Sequence, residues 1–127
     1  MFNRVIMIGR LANDPELRYT QAGVAVAQFR IAVDRPYKNQ DGSRDADFFP
    51  VVTWRKLAES CAYNLSKGRL VAIEGRLQNR SYTRQDGSKD WVTEIQASNV
   101  RFLDYPKDDN GTNSGDGDEF AEDDIPF

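Results

Sequence analysis

One word is written twice in this chain. Gln40-Asp41-Gly42-Ser43-Arg44-Asp45 and Gln85-Asp86-Gly87-Ser88-Lys89-Asp90 are nearly identical. Asp-Gly puts a residue without a Cβ where a hairpin turn needs a positive φ, so each copy predicts a turn between two strands. The flanks repeat as well. Tyr37 and Tyr82 each lie five residues before the glycine, and Phe48 and Trp91 follow the two turns. The chain must therefore carry two β-fingers with rings on their arms. Lys38 and Arg44 sit near one tip, and Arg80, Arg84 and Lys89 near the other. Ordinary aromatic cross-strand pairing would explain the repeat equally well.

The remaining signals extend the strand pattern. Residues 3–11 read as a strand, with Gly9 marking a bend or bulge. Asp14-Pro15 makes a turn, Glu16 to Thr20 is a short extended piece, and Gly23 allows the next turn. In residues 24–34, Phe29, Ile31 and Val33 point one way and Gln28, Arg30 and Ala32 the other. Residues 47–54 form a third strand, which Pro50 demotes locally to an edge or irregular position. Lys56 to Lys67 is the one good helix, with Leu57, Cys61 and Leu65 at four-residue steps and Gly68 as its stop. Arg69 to Leu77 is a fourth strand, and residues 79–84 and 90–102 are the arms of a last hairpin. This order fits an all-β chain: a five-stranded barrel closed on itself, with one helix between strands three and four. Phe2, Phe29 and Phe102 are expected in the core or an interface.

Length and charge divide the chain. Its 127 residues suit one domain. Residues 1–105 hold 16 Lys+Arg and 12 Asp+Glu, a net of +4, whereas residues 106–127 hold Lys107 and eight acids, a net of -7. A basic body with an acidic tail points to a polyanion partner for one part and another task for the other. Between Pro106 and Glu119 the tail lacks the apolar residues that offset ordering entropy, so 106–127 is expected to be disordered. Its tip, 122–127, is different, because Ile125 and Phe127 follow three acids at a free end. Such an end suits a partner with an apolar pocket rimmed by Arg or Lys.

Several functions are excluded. There is no histidine, which removes His-based acid–base and nucleophilic catalysis and the usual zinc sites. The single Cys61 cannot form an internal disulfide, fits a cytosolic setting, and lies on the apolar helix face as a core residue. No apolar run approaches the roughly 20 residues of a membrane span, and no signal-peptide core is present. No Gly-rich phosphate loop of the GxxxxGK[ST] type occurs, so ATP is not expected; no cofactor is assigned.

What remains is rings interleaved with bases. Tyr37, Phe48, Trp54, Tyr82 and Trp91 sit among Arg35, Lys38, Arg55, Lys56, Arg80 and Arg84. Flat rings stack on bases of any identity, and cations follow phosphates, so this mixture suits sequence-tolerant binding of a single strand. Arg4, Arg10, Lys67 and Arg76 complete the candidate phosphate contacts. Tyr37 and Tyr82, beside polar turns, are the better candidates for exposed rings, while Trp54 fits either core or surface. Three other readings compete. Asp41, Asp45, Asp47, Asp86 and Asp90 could hold Mg²⁺ in a nuclease, but they occupy turn positions where Asp is favoured anyway. A protein-interaction adaptor would need little of the aromatic–basic pairing. RNA or oligosaccharide binding stays open, since stacking serves both nucleic acids.

At this point the chain resembles the bacterial single-stranded DNA-binding protein family, SSB, over its whole length. Asn3-Arg4-Val5-Ile6-Met7-Ile8-Gly9-Arg10-Leu11 and Asp14-Pro15-Glu16-Leu17-Arg18-Tyr19 are similar to the family's first strand and turn. The run from Asp47 to Glu59 is similar to its third strand and helix start, and Lys67-Gly68 with Glu74-Gly75-Arg76-Leu77 to its fourth strand. The end, Asp123-Asp124-Ile125-Pro126-Phe127, resembles its partner-binding tip. The resemblance implies an OB-fold Greek-key barrel, a homotetramer, and a non-enzymatic role wrapping single-stranded DNA in the cytoplasm, at the nucleoid. It implies that replication, repair and recombination enzymes dock on the tip. It places stacking on Tyr37, Phe48, Trp54 and Tyr82. Departures are visible: the family often has tryptophan at Tyr37, Phe48 and Tyr82, and basic residues at Pro50, Gln78 and Ser81, for which Arg55 and Arg76 are expected to compensate.

Overall fold

Alternation in one strand sets the barrel wall. In the computed structural model, which describes residues 1–104, Ala25, Ala27, Phe29 and Ile31 are buried while Gln28 and Arg30 are exposed. They lie on β3 (Ala25–Asp34), preceded by β1 (Val5–Leu11) and β2 (Glu16–Tyr19). After it come β4 (Ala46–Trp54), helix α1 (Arg55–Asn64), β5 (Leu70–Thr83) and β6 (Lys89–Phe102). The strands run β1-β5-β6-β4-β3, and β3 pairs again with β1 at Arg10↔Ala32 and Leu11↔Ile31. Five strands thus close a ring, and closure removes the exposed sheet edges that invite aggregation. All pairs are antiparallel except β4–β6, which meet in parallel at Val51↔Ile95 and Val52↔Gln96. β2 is a short addition to β3. The helix falls between the third and fourth barrel strands, as the sequence predicts.

The barrel is filled by Phe29, Ile31, Val51, Val71, Ile73 and Ile95, with Leu11, Cys61 and Leu65 packed in the same cluster. Ala58 of α1 sits with Ala25 and Ala27 of β3. Three small side chains let the helix approach the strand closely. Burial pushes the Cys61 thiol up to about 11, so it packs as a small apolar group, in keeping with its expected core role.

Several boundaries shift. The first strand starts at Val5, not residue 3, but Asn3 still clamps to the sheet. Its amide donates to the Leu77 carbonyl at 2.8 Å and accepts from the Leu77 N–H at 3.0 Å. Gly9 is no bulge, since the β1–β5 register runs unbroken through Gly9↔Val71. It marks the seam, where a Cβ would collide with the Ala32 carbonyl. The bulge lies at Glu74/Gly75, and a Cβ on Gly75 would strike the Gln96 carbonyl. The helix ends at Asn64, three residues before Lys67, because Leu65 turns extended to bury its side chain in the core. Gly68, at φ +94°, serves the turn into β5 instead, where its N–H meets the Leu11 carbonyl at 2.8 Å. Residues 69–77 and 79–84 are not two strands, since β5 runs without a break to Thr83. Beyond Gly75 it leaves the core, so the last hairpin projects from the barrel as an exposed arm. Pro50 sits where β4 has a partner on one side only, because β6 joins at Val51. Phe29 is core and Phe102 packs against it, but Phe2 is exposed. The expected boundary near Tyr105-Pro106, the acidic tail and its tip lie outside the described residues.

Candidate nucleic-acid interface

Register decides which side chains share a face. On β3 and β4, Val26, Gln28, Arg30 and Ala32 oppose Trp54, Val52, Pro50 and Phe48. Val52 is joined to Gln96 of β6, and Gln96, Glu94, Val92 and Asp90 oppose Arg76, Gln78, Arg80 and Tyr82 of β5. These positions alternate with the core side chains, and all but Val52 and Glu94 are at least partly exposed. Three strands therefore bring Phe48, Trp54 and Tyr82 to one outer face with Arg30, Arg76 and Arg80. A groove of about 250 Å³ crosses it between Arg30, Pro50, Arg80 and Val92. Hollows of about 390 Å³ (Arg4, Arg76, Gln96) and about 630 Å³ (Tyr19, Arg55, Lys56) meet at Trp54, which lines both.

The five candidate rings are all exposed, from 42% for Tyr82 to 67% for Trp91. They are not all together. Trp91 pairs with Ser81, while Tyr82 pairs with Asp90, so Trp91 lies on the opposite face of the hairpin from Tyr82. Tyr37 lies beyond the paired part of β3, on the first finger near Arg35. Arg30 was missed as a candidate, yet its guanidinium stands 5.1 Å over the Phe48 ring, a cation–π contact in the middle of the face. The signal was present: the alternation that buries Phe29 must expose Arg30. Tyr19 and Tyr63 are further exposed rings outside the five candidates.

The candidate cations form two groups. Arg4 pairs with Glu74, Arg84 with Asp90, and Arg80 with Glu94 at 3.2 Å. Arg10 reaches the Gly68 carbonyl at 3.0 Å and Asp104 at 3.6 Å. Arg35 grips both oxygens of Asp47, at 2.9 and 3.2 Å, and that guanidinium holds the Asp47 carboxyl below its ordinary range. Apart from Arg80–Glu94, whose carboxylate is buried, these are exposed pairs that contribute about 0–1 kcal/mol, so a phosphate can compete for the cation. Lys38, Arg55, Lys56, Lys67 and Arg76 form no ion pair among the described residues. Arg55 follows Trp54 with φ +60°, a left-handed conformation unusual for a side-chain-bearing residue.

The acids weighed as metal ligands have other work. Asp41 accepts from the Ser43 amide at 3.0 Å and hydroxyl at 2.6 Å, and Asp86 does the same for Ser88 at 2.9 and 2.6 Å. Asp45 accepts from Asn39 at 3.2 Å, and Asp47 and Asp90 hold arginines.

A small closed barrel of this strand order is an OB-fold, here with rings and cations along its outer face. The comparisons agree. Residues 2–103 match the model of the single-strand binding protein family. The chain is 53% identical over 115 residues to single-stranded DNA-binding protein A of Bacillus subtilis, covering 91% of this chain and 66% of that protein. It is 54% identical over 114 residues to the single-stranded DNA-binding protein of Caldanaerobacter subterraneus, covering 90% and 75%. The chain belongs to the single-strand binding protein family. The family's description and its relatives' names speak of binding rather than catalysis. No helix among the described residues is long and apolar enough to cross a membrane.

Proposed function

We propose that this chain binds single-stranded DNA with little regard to sequence. The observation that carries the reading is the placement of Phe48, Trp54 and Tyr82 on one outer face among Arg30, Arg76 and Arg80. Rings stack on any base, while cations release counterions from the backbone. Duplex DNA hides its base faces, so such a face selects single strands. Holding the strand this way protects it and removes its secondary structure. Relatives named single-stranded DNA-binding proteins support the reading.

The body is proposed to assemble as a homotetramer, since Ile6 and Ile8 leave an apolar stripe exposed on β1. The tip Asp123-Asp124-Ile125-Pro126-Phe127 is proposed to recruit replication, repair and recombination enzymes at the nucleoid through its carboxylates and ring. The test is equilibrium binding of oligo(dT) and of a duplex at several salt concentrations, with and without Phe127. Tight oligo(dT) binding that weakens with salt, weak duplex binding, and no effect of the deletion are expected. Equal binding of both DNAs would contradict the role of the rings. Loss of oligo(dT) affinity on deleting Phe127 would contradict the division of labour.

A further inference from the structure

A carboxylate sits where a phosphate-binding face should avoid one. Glu94 lies on the outer side of β6, yet it is only 4% exposed. Arg80 donates to its two oxygens at 3.2 and 3.5 Å, and the Gln96 amide nitrogen donates to Oε1 at 3.2 Å. The other end of the same amide, Gln96 Oε1, accepts the indole N–H of Trp54 at 2.9 Å. Turning the amide over would set N–H against N–H and oxygen against oxygen, so the chain of bonds has one orientation. Arg80, Glu94, Gln96 and Trp54 thus form one hydrogen-bonded line across β5, β6 and β4.

We infer that Gln96 and Glu94 are positioning residues that hold Trp54 as a plain stacking plate. The inference rests on the proposed binding of single strands. The indole is 43% exposed, so its face is open to a base. Its one polar group, a donor, is already satisfied inside the protein. A free N–H on that face would hydrogen-bond the carbonyl oxygens of thymine, cytosine or guanine but find only ring nitrogens on adenine. Tying it to Gln96 removes that discrimination and fixes the ring, so less side-chain freedom is lost when DNA arrives. Glu94 keeps the amide aimed and also anchors Arg80, joining a stacking group and a phosphate group in one support.

The test uses the full chain carrying Trp91→Phe as reference, so that Trp54 is the single tryptophan. Gln96→Leu should add a fast component to the fluorescence anisotropy decay of Trp54. It should also weaken oligo(dT) binding several-fold and widen the spread of affinities among oligo(dT), oligo(dC) and oligo(dA). Gln96→Glu alone sets two carboxylates together and should weaken binding similarly. Adding Glu94→Gln to it should restore both affinity and anisotropy, because residue 94 then donates its amide to the carboxylate at residue 96, while Trp54 and Arg80 still donate into the line. An unchanged decay and base spread in Gln96→Leu, or no rescue by the double change, would overturn the inference. Trp54→Ala separates the two readings. If it weakens binding while the Gln96 variants do not, the positioning role fails and the binding face stands. If it binds as tightly as the reference, the binding face itself fails.

Discussion

The two fingers carry the same word and the same turn, but not the same arms. In the first, the Gly42 N–H bonds the Asn39 carbonyl at 3.0 Å and the Asn39 N–H bonds Ser43 at 2.7 Å. In the second, Gly87 bonds Arg84 at 3.0 Å and Arg84 bonds Ser88 at 2.8 Å, and both glycines have φ +88°. The ladders behind them differ. The first stops at Asp34↔Ala46, with one further bond from Arg35 to Asp45. The second runs to Thr83↔Lys89, the foot of the turn. A turn is specified by four or five residues, whereas an arm depends on every pair behind it. So Tyr82 stands on a paired strand, and Tyr37 on a loop.

The largest effect should come from the base of the second finger. Gly75→Ala forces a Cβ into the Gln96 carbonyl, a backbone atom that cannot swing aside. A loss of about 3 kcal/mol in denaturant unfolding is expected. The first finger has no such close approach, and full stability in Gly75→Ala would show that the bulge does not set the arm. Next comes the pair of rings. Tyr82→Ala should lower oligo(dT) affinity by the upper part of the roughly 1–3 kcal/mol that one stacked base contributes. Tyr37→Ala should cost less, because ordering its loop offsets part of the stacking energy. Equal losses would mean that the two arms are equally preorganised. The smallest effect treats the fingers alike. Hydrogen bonds from Ser43 and Ser88 hold the Asp41 and Asp86 carboxyls below their ordinary 3.8. Their contribution to the turns is therefore present above that pH and is lost as pH falls through the lower folded values. The Ser43 and Ser88 amide resonances should titrate with midpoints below 3.8, and a midpoint at or above it would remove the bonds.

Much of this was legible in the residues. Period-two burial in β3, the two Asp-Gly turns, the strand–helix–strand order and the exposed Tyr37 and Tyr82 follow from local rules. What failed were features decided across the barrel. Gly9 and Gly75 look alike in sequence, and only the neighbouring strand shows that one is a seam and the other a bulge. Leu65 continues a helical spacing, but core burial takes it out of the helix. Register parity, invisible until Arg80 is paired with Val92, separates Trp91 from Tyr82. The same pairing joins Glu94 and Gln96 to Trp54, two residues with no motif to mark them.

The central claim is that bases stack on the face built around Trp54. With Trp91→Phe in place, Trp54 fluorescence can be followed while oligo(dT) is added at low and high salt. Strong quenching that saturates, with affinity falling as salt rises and no comparable response to duplex, is the predicted result. Tight binding of oligo(dT) with Trp54 emission unchanged would put the strand elsewhere on the barrel and contradict the account.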